Sequence, residues 1–446
     1  MKPTPKKRKQ RAEDLLFLDV LCPIDKAVFL MKRIRSSVRE ADLIRNEFSE
    51  KTILYSLARL NNMTLSNRDK WNVIRNHVES WTAMFGEPSL KNIVRLCDVW
   101  DCPIQSVYDK QLTPAVVKEI LQMFIIGQDK YCDQLAQSFS FYNDSLKKCY
   151  HTSDGVARNT LLVYGPSGTG KTYGVEVLCR LFNLPYLRIQ CDALYINEDL
   201  PTIFRKIYLE SQRSRDELEQ TVVCFDKIDK LLCHSGQDME LFVHQIEDLI
   251  DDNGEVSFLD KEPGSETVTR IRIPTSRMLF LFTGEFAGLE DAVRSRLRLN
   301  KVGFITDNKK AVVDNVMNCV SFQDLHDIGT PPEIYCHTRS HTSTGNFSAD
   351  DLVKIINSEC ASPLLPILRD LHSHNIYPTI TPEAKRAIAE FISKLEHGGA
   401  RNIAALVNEI IRNELSHLLG KGNKSPRMSF EITKESVTRT INHDTD

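Results

Sequence analysis

One eight-residue segment constrains the fold of this chain more than any other. Residues 165–172 read Gly-Pro-Ser-Gly-Thr-Gly-Lys-Thr, which fits G-x-x-x-x-G-K-[ST], and they follow an apolar run at 160–164. A strand, a glycine-rich loop and a helix in this order form a P-loop, whose backbone N–H groups surround phosphates at the helix N-terminus. The sequence therefore predicts an α/β nucleotide-binding fold, and an ordinary glycine-rich turn is the weaker alternative.

The residue types of the loop predict how it contacts a nucleotide. The Lys171 ammonium is expected to neutralise the β and γ phosphates, and the Thr172 hydroxyl to bind magnesium. Glycines let the backbone approach the phosphates closely. The candidate nucleotide-binding residues of the loop are Gly165, Pro166, Ser167, Gly168, Thr169, Gly170, Lys171 and Thr172.

A second motif lies about fifty residues further along the chain. Residues 221–226 read Thr-Val-Val-Cys-Phe-Asp, a buried-strand pattern that ends in a carboxylate. Asp226 is the predicted Walker B residue, which would share magnesium with Thr172. The next residue is Lys227, and a lysine with a pKa of about 10.4 is a cation at neutral pH that cannot accept a proton. Nucleotide binding is therefore predicted more firmly than hydrolysis, and enzymatic activity as an ATPase stays open.

Composition restricts the class of protein. The 446 residues allow two to four domains, and the 57 Lys and Arg against 60 Asp and Glu give a net charge of −3. No run approaches the roughly 18 apolar residues of a membrane span, so a membrane protein is excluded. Twelve scattered cysteines without an apolar leader predict free thiols and a cytoplasmic location.

Periodicity and punctuation predict the domain organisation. Residues 1–12 are a flexible basic tail, and 13–110 form an α-helical N-terminal domain with an adaptor, substrate-binding or oligomerisation role. A helix start at Thr113 and Pro114 opens a large domain over 111–340. A small, mainly helical domain follows over 341–436, and 437–446 are a tail.

Secondary structure is predicted most clearly within the large domain. Apolar runs at 160–164, 187–190, 222–225 and 278–282 alternate with helical patterns, as in a parallel α/β sheet. Residues 340–345 are predicted to form a loop, and 428–432 a short strand.

With these motifs placed, residues 112 to about 435 resemble the ClpX family, AAA+ protein unfoldases of the HslU/ClpX branch. Residues 112–128, which include Ile126, look like the adenine-pocket segment of that family. Residues 226–230 look like its Walker B run, 279–289 like its sensor 1 strand with Thr283, and 399–401 match the sensor 2 motif with Arg401. The resemblance implies a AAA+ large domain with a parallel sheet, then a helical lid domain, with ATP and Mg²⁺ as cofactors.

Two further similarities to the family concern its partners. Tyr195 and Ile196 stand where the family carries the aromatic–aliphatic pair that grips polypeptide in the pore of a hexameric ring. Packing of the two side chains in a core is the alternative. Val302, Gly303 and Phe304 lie where the family docks a ClpP-like peptidase, and an ordinary strand start is nearly as well supported there.

Departures from the family are concentrated at residues needed for hydrolysis. Lys227 replaces the Walker B glutamate, and His337 stands at the arginine-finger position, with Arg339 two residues further on. Histidine is only partly cationic near pH 7, and a displaced arginine usually loses the geometry that a finger needs. Glu285, in place of the family's alanine, is the one new carboxylate expected near the site.

Two functional hypotheses follow. The first is an ATP-driven protein unfoldase that forms a ring and acts on protein substrates, with a possible peptidase partner. The second is a hydrolysis-deficient pseudo-ATPase that acts as a scaffold or as a regulatory subunit of a mixed AAA+ ring. A nucleic-acid motor depends only on the P-loop and the basic tail and is the least favoured.

Overall fold

The structure, a computed structural model, describes the chain in segments. The described residues are 71–72, 75, 78–79, 87, 89–100, 102–108, 110–148, 159–192, 199–210, 214–232, 237–251, 254–261, 268–297, 316–358, 360–374, 376–395, 398–420 and 428–443. The predicted tail at 1–12 lies outside them, as do residues 444–446 of the tail predicted at 437–446. Residues 437–443 of that predicted tail belong instead to a helix that ends at His443. The chain divides into a sheet unit, Leu112–Cys179 with Leu184–Asn346, and a helical unit comprising the remaining residues.

The sheet unit contains most of the described strands. Its strands are β1 (Asn159–Tyr164), β2 (Tyr186–Gln190), β3 (Val222–Asp226), β4 (Glu255–Lys261), β5 (Val268–Pro274), β6 (Leu279–Gly284) and β7 (Ser340–Ser343). Its helices are α2 (Pro114–Phe124), α3 (Asp129–Lys148), α4 (Lys171–Leu181, which ends in the helical unit), α5 (Leu200–Glu210), α6 (Arg215–Leu218), α7 (Ile228–Leu232), α8 (Gln237–Ile250), α9 (Leu289–Arg296), α10 (Phe322–Asp327) and α11 (Pro332–Cys336).

Five of these strands form one parallel sheet in the order β2-β3-β6-β1-β7. Strands β1, β3 and β6 are buried along their whole length, which is why they read as continuous apolar runs. The stacked rings of Phe225 and Phe282, 5.3 Å apart, join β3 to β6 in the core. The predicted parallel α/β fold is confirmed.

Strand β7 corrects one prediction from the sequence. Residues 340–345 were expected to form a loop, but Ser340–Ser343 pairs with β1 from Leu161 to Tyr164. Its sequence, Ser-His-Thr-Ser, is polar because β7 is the last strand at one edge of the sheet, where burial demands less apolar surface. The backbone N–H of Thr344 then donates to the Tyr164 carbonyl at 2.9 Å.

Two local features frame the sheet. Thr113 caps α2, and its hydroxyl accepts from the Val116 N–H at 3.4 Å, with Pro114 at the first helical position as predicted. Strands β4 and β5 form a separate antiparallel hairpin that was not predicted from the sequence.

The second unit is mainly helical. Before the sheet unit it contains α1 (Leu90–Trp100), which lies in the region predicted to be helical. After the sheet unit it contains α12 (Ala349–Asn357), α13 (Leu364–Ser373), β8 (Ile376–Ile380), α14 (Pro382–Ile392), α15 (Ala400–Gly420), β9 (Met428–Ile432) and α16 (Lys434–His443). Strand β9 confirms the strand predicted at 428–432 and pairs in parallel with β8. Across the described helices, none is long and apolar enough to cross a membrane.

Candidate nucleotide-binding site

The carboxyl ends of three neighbouring strands bring the predicted motifs together. Strand β1 ends directly before the P-loop, and the register pairs Asp226 at the end of β3 with Thr283 on β6. Parallel strands end at one edge of a sheet, where open α/β folds bind their ligands. The P-loop, Asp226 and Thr283 therefore lie at one edge, as their motifs indicate.

The P-loop adopts a backbone that glycine alone tolerates at its first position. Gly165 has φ +141°, and a Cβ there would lie 2.3 Å from the carbonyl oxygen of Thr344. The close approach locks the loop against the end of β7. Helix α4 then begins at Lys171, so that the loop leads into a helix N-terminus.

Lys171 is folded back onto the loop. Its Nζ donates to the carbonyl oxygens of Gly165 and Pro166, each at 2.7 Å. Burial lowers the pKa of Lys171 to about 8, against the raising effect of the negative charges of Glu285, Asp226 and Asp229. The ammonium is held by two neutral carbonyls, which an anionic phosphate can replace.

Asp226 accepts hydrogen bonds on both carboxylate oxygens. Oδ1 accepts from the hydroxyls of Thr172 at 3.0 Å and Thr283 at 2.8 Å. Oδ2 accepts from Nε and Nη2 of Arg188 at 3.0 and 2.5 Å. Burial alone would raise the pKa of Asp226, but the bonds from Arg188, Thr283 and Thr172, with the charge of Arg188, hold that pKa below its usual range.

Sequence reasoning missed Arg188. It lies on β2 opposite Cys224 of β3, and the alternation of the strand places it away from the buried neighbours Leu187 and Ile189. Its Nη1 also lies 3.4 Å from Oε1 of Glu176 on α4. The alternating pattern of β2 was a signal that Arg188 points away from the core, but its partner depends on the register between β2 and β3.

Lys227 directly follows Asp226, and its side chain is partly exposed. Its backbone has φ +59°, a left-handed conformation that is rare for a side chain of this type. The Nζ of Lys227 forms an ion pair with Oδ2 of Asp192, and both side chains are partly exposed. The position after Asp226 therefore presents a cation paired with a carboxylate.

Two more carboxylates, Asp229 and Glu285, act electrostatically on Lys171. Asp229 is buried, and its Oδ2 accepts from the backbone N–H of Phe286 at 3.3 Å. Glu285 directly follows strand β6, and its Oε2 lies 4.0 Å from Nζ of Lys230. Among the negative charges that raise the pKa of Lys171, that of Glu285 has the largest effect. Glu285 is thus near enough to the P-loop lysine to act on it electrostatically, as the sequence predicted for a carboxylate near the site.

The segment predicted to contact adenine adjoins the P-loop. A Cβ on Gly170 would lie 3.1 Å from Cδ1 of Ile125, the residue before the half-buried Ile126. Gln128 exchanges two hydrogen bonds with the backbone of Gly345, at 2.8 and 2.9 Å. The segment is therefore fixed against both the P-loop and the chain after β7.

His337 and Arg339 lie at the opposite edge of the sheet. The hydroxyl of Thr160 donates to the His337 carbonyl at 2.7 Å and accepts from the Arg339 N–H at 2.8 Å. A strand advances about 3.3 Å per residue, so Thr160 lies about 13 Å along β1 from Tyr164, directly before the P-loop. The Arg339 guanidinium lies 3.5 Å from the centre of the Phe141 ring. Neither side chain contacts the chain's own P-loop.

Other predicted residues fall elsewhere. Arg401 is exposed at the start of α15, in the helical unit. Tyr195, Ile196, Val302, Gly303 and Phe304 lie outside the described residues.

The side chains beside the P-loop fit a magnesium ion poorly. Thr172 donates its proton to Asp226, so its oxygen lone pairs remain available to a metal ion. The carboxylate is different, because its roughly four acceptor positions already receive four N–H or O–H donors. These residues offer magnesium one neutral hydroxyl, that of Thr172, and one carboxylate, that of Asp226, whose negative charge is already balanced by Arg188. A hard divalent cation prefers uncompensated anionic oxygen ligands, so the fit is poor.

Comparison with known proteins agrees with this geometry. Residues 161–302 match the sequence model of the ATPase family associated with various cellular activities, the AAA family. The ATP-dependent Clp protease ATP-binding subunit ClpX of Bacteroides fragilis is 23% identical over 345 residues, 73% of this chain and 82% of the relative. The same subunit of Bacteroides thetaiotaomicron matches at the same identity and coverage.

The fold and the site are similar to those of AAA+ P-loop proteins. The similarity consists of the parallel sheet, the P-loop at its carboxyl edge and the matched span 161–302. The similarity to ClpX extends well beyond this span, to 345 residues.

Proposed function

We propose that the protein is an ATP-binding, ClpX-like AAA+ chaperone subunit that works in a ring on protein substrates, and that its own site hydrolyses ATP poorly. The observation that carries the proposal is a complete P-loop beside Asp226 with a paired cation, Lys227, at the next position. ATP is the proposed ligand, and the cytoplasm the proposed location.

Nucleotide binding uses groups that the site already contains. Phosphates take the place of the Gly165 and Pro166 carbonyls at Lys171 Nζ, which replaces neutral acceptors by charged ones. Backbone N–H groups of the loop and the N-terminus of α4 supply further donors. Ile126 is proposed to contact adenine and Arg401 the phosphates, both by analogy with the family.

ATP hydrolysis requires a water-positioning residue and an arginine finger, and this chain has Lys227 and His337 at those positions. A general base or water-positioning residue accepts a proton or hydrogen bond from attacking water, and the ammonium of Lys227 has no lone pair for this. An arginine finger contributes about 10³ to 10⁵ in rate, and His337 has no guanidinium to supply that contribution. Loss of both groups predicts turnover several powers of ten below that of an intact site.

The ring is proposed from the likeness to ClpX. The His337 position lies about 13 Å or more from the chain's own P-loop, which fits a group that acts on a neighbouring subunit. A mixed ring would let an intact AAA+ subunit hydrolyse ATP while this chain modulates it. A ClpP-like peptidase at Val302, Gly303 and Phe304 is part of the same proposal.

The experiment is a paired measurement of ATP affinity and steady-state ATP hydrolysis on the full chain. Lys171→Ala should abolish binding, because the phosphates lose their only P-loop ammonium. The expected wild-type result is binding that Lys171→Ala abolishes, with very slow turnover. Rapid turnover abolished by Lys171→Ala would contradict the hydrolysis part of the proposal, and absent binding would contradict all of it.

A second candidate is a self-sufficient unfoldase, favoured by the aromatic–aliphatic pair Tyr195 and Ile196. In this case the chain alone would unfold a tagged fluorescent protein in the presence of ATP. Tyr195→Ala should stop unfolding while leaving ATP hydrolysis largely intact, since the pore does no phosphate chemistry. Unfolding that persists in Tyr195→Ala would exclude the pore role.

A further inference from the structure

Asp226 is the carboxylate that a P-loop site normally turns toward magnesium, and here every acceptor position on it is taken. Two hydroxyl donors, from Thr172 and Thr283, reach Oδ1, and two guanidinium donors from Arg188 reach Oδ2. A carboxylate offers about four such positions. A magnesium ion, or a water bound to it, would have to displace one of these donors.

The Arg188 contact is the one that changes the charge of the site. A guanidinium stays charged at every accessible pH, and its two parallel N–H groups match a carboxylate. Asp226 is 9% exposed and Arg188 31%, so water screens this pair less than a surface pair. The cation and the carboxylate together contribute no net charge, whereas magnesium affinity increases with the number of anionic ligands.

A second contact holds Arg188 in place from the other side. Glu176, on the helix that begins at the P-loop, lies 3.4 Å from Nη1 of Arg188. The guanidinium therefore bridges α4 and the end of β3 and occupies the space beside Asp226. Arg188 thus acts as a positioning residue for Asp226.

We propose that Arg188 is a resident cation that takes the place of magnesium beside Asp226, so that this chain binds ATP with little dependence on magnesium. The inference builds on the proposed function, because it specifies the form of nucleotide that the P-loop accepts. Arg188 is then the third feature, after Lys227 and His337, that allows nucleotide binding without supporting hydrolysis.

The test measures ATP affinity of the full chain by calorimetry, in excess Mg²⁺ and in EDTA. For the wild type the two dissociation constants should agree within about threefold, which corresponds to less than 1 kcal/mol. Arg188→Met frees Oδ2 of Asp226, and the variant should bind at least about tenfold more tightly with Mg²⁺ than with EDTA. The control is Arg294→Met, which removes an arginine of similar exposure that pairs with Glu290 instead. It should keep the wild-type ratio.

The outcomes are separable. Wild-type binding that weakens tenfold or more in EDTA would overturn the inference and leave the proposed nucleotide binding intact. An Arg188→Met variant with the wild-type ratio would overturn it as well. No binding under either condition would overturn the proposed function and this inference with it. If Arg188→Met fails to fold, the wild-type ratio alone still decides.

Discussion

The ammonium of Lys227, the residue after Asp226, is paired with the carboxylate of Asp192, which lies two residues after the end of β2. The pair orients Lys227 at the position where ClpX-like chains carry a glutamate. A cation fixed in this place cannot accept a hydrogen bond from water. Substitution at 227 must therefore be planned together with Asp192.

Lys227→Glu is expected to raise ATP hydrolysis, because it restores a carboxylate that can orient water beside the γ phosphate. The new carboxylate would face Asp192 and be repelled by it, so the double variant with Asp192→Asn should gain more than Lys227→Glu alone. We expect at least a tenfold increase in the steady-state rate for the double variant, since acid–base catalysis contributes about 10² to 10⁴.

Asp192→Asn alone serves as the control for this prediction and should leave hydrolysis unchanged. If neither variant with Glu at position 227 turns over faster than the wild type, loss of the glutamate is not what limits the site. Glu285→Gln on the wild-type background then tests whether Glu285 supplies the residual base.

Nucleotide affinity should decrease as the pH rises above about 8. Burial lowers the pKa of Lys171 to about 8, so the free protein loses the ammonium above this pH, while bound phosphates favour the charged form and raise its pKa. Binding then requires uptake of a proton, and the dissociation constant should rise by up to about tenfold per pH unit.

A titration of ATP affinity from pH 7 to pH 10 checks this pH dependence. Lys171→Arg is the matched control, because its guanidinium stays protonated and should flatten the slope. A wild-type affinity that is level across this range would mean that Lys171 keeps its proton despite its burial.

Gly165→Ala should destabilise the sheet unit. The added Cβ would lie 2.3 Å from the Thr344 carbonyl oxygen, which is backbone and cannot move aside, at a φ of +141°. Overpacking and backbone strain together predict a loss of about 2 to 4 kcal/mol in the free energy of unfolding. Urea denaturation followed by circular dichroism measures it.

Gly345→Ala is the control for Gly165→Ala, because nothing lies within 4 Å of the Cβ that it adds. Its free energy of unfolding should stay within about 0.5 kcal/mol of the wild type. Equal losses in the two variants would show that the contact with Thr344 does not matter.

The parts of this molecule that sequence predicts are those with local causes. Thr113 and Pro114 determine a helix start by themselves, and β1, β3 and β6 are apolar because both of their faces are buried. β7 was missed because Ser340–Ser343 has no apolar pattern and depends on pairing with β1. The Arg188 contact was missed for a related reason, since it follows from the register of β2 against β3 rather than from any motif.

The last prediction concerns the finger position. His337 and Arg339 lie at the edge of the sheet opposite the P-loop, so a finger at either position acts only on another subunit. With Lys227→Glu and Asp192→Asn as background, His337→Arg should raise hydrolysis by at least tenfold further, because a finger contributes about 10³ to 10⁵ in an intact site. The gain should disappear on dilution, when subunits separate, and this is measured as the rate per subunit against protein concentration.

Arg339→Ala, added to the variant that carries Lys227→Glu, Asp192→Asn and His337→Arg, tests which of the two positions supplies the finger. The Arg339 guanidinium lies against the Phe141 ring at 3.5 Å, so we expect its removal to leave the gain from His337→Arg intact. A rate that falls to the background value in this variant would assign the finger to Arg339. A gain that persists at all dilutions would mean instead that the new arginine reaches the P-loop of its own chain, which the separation of about 13 Å along β1 argues against.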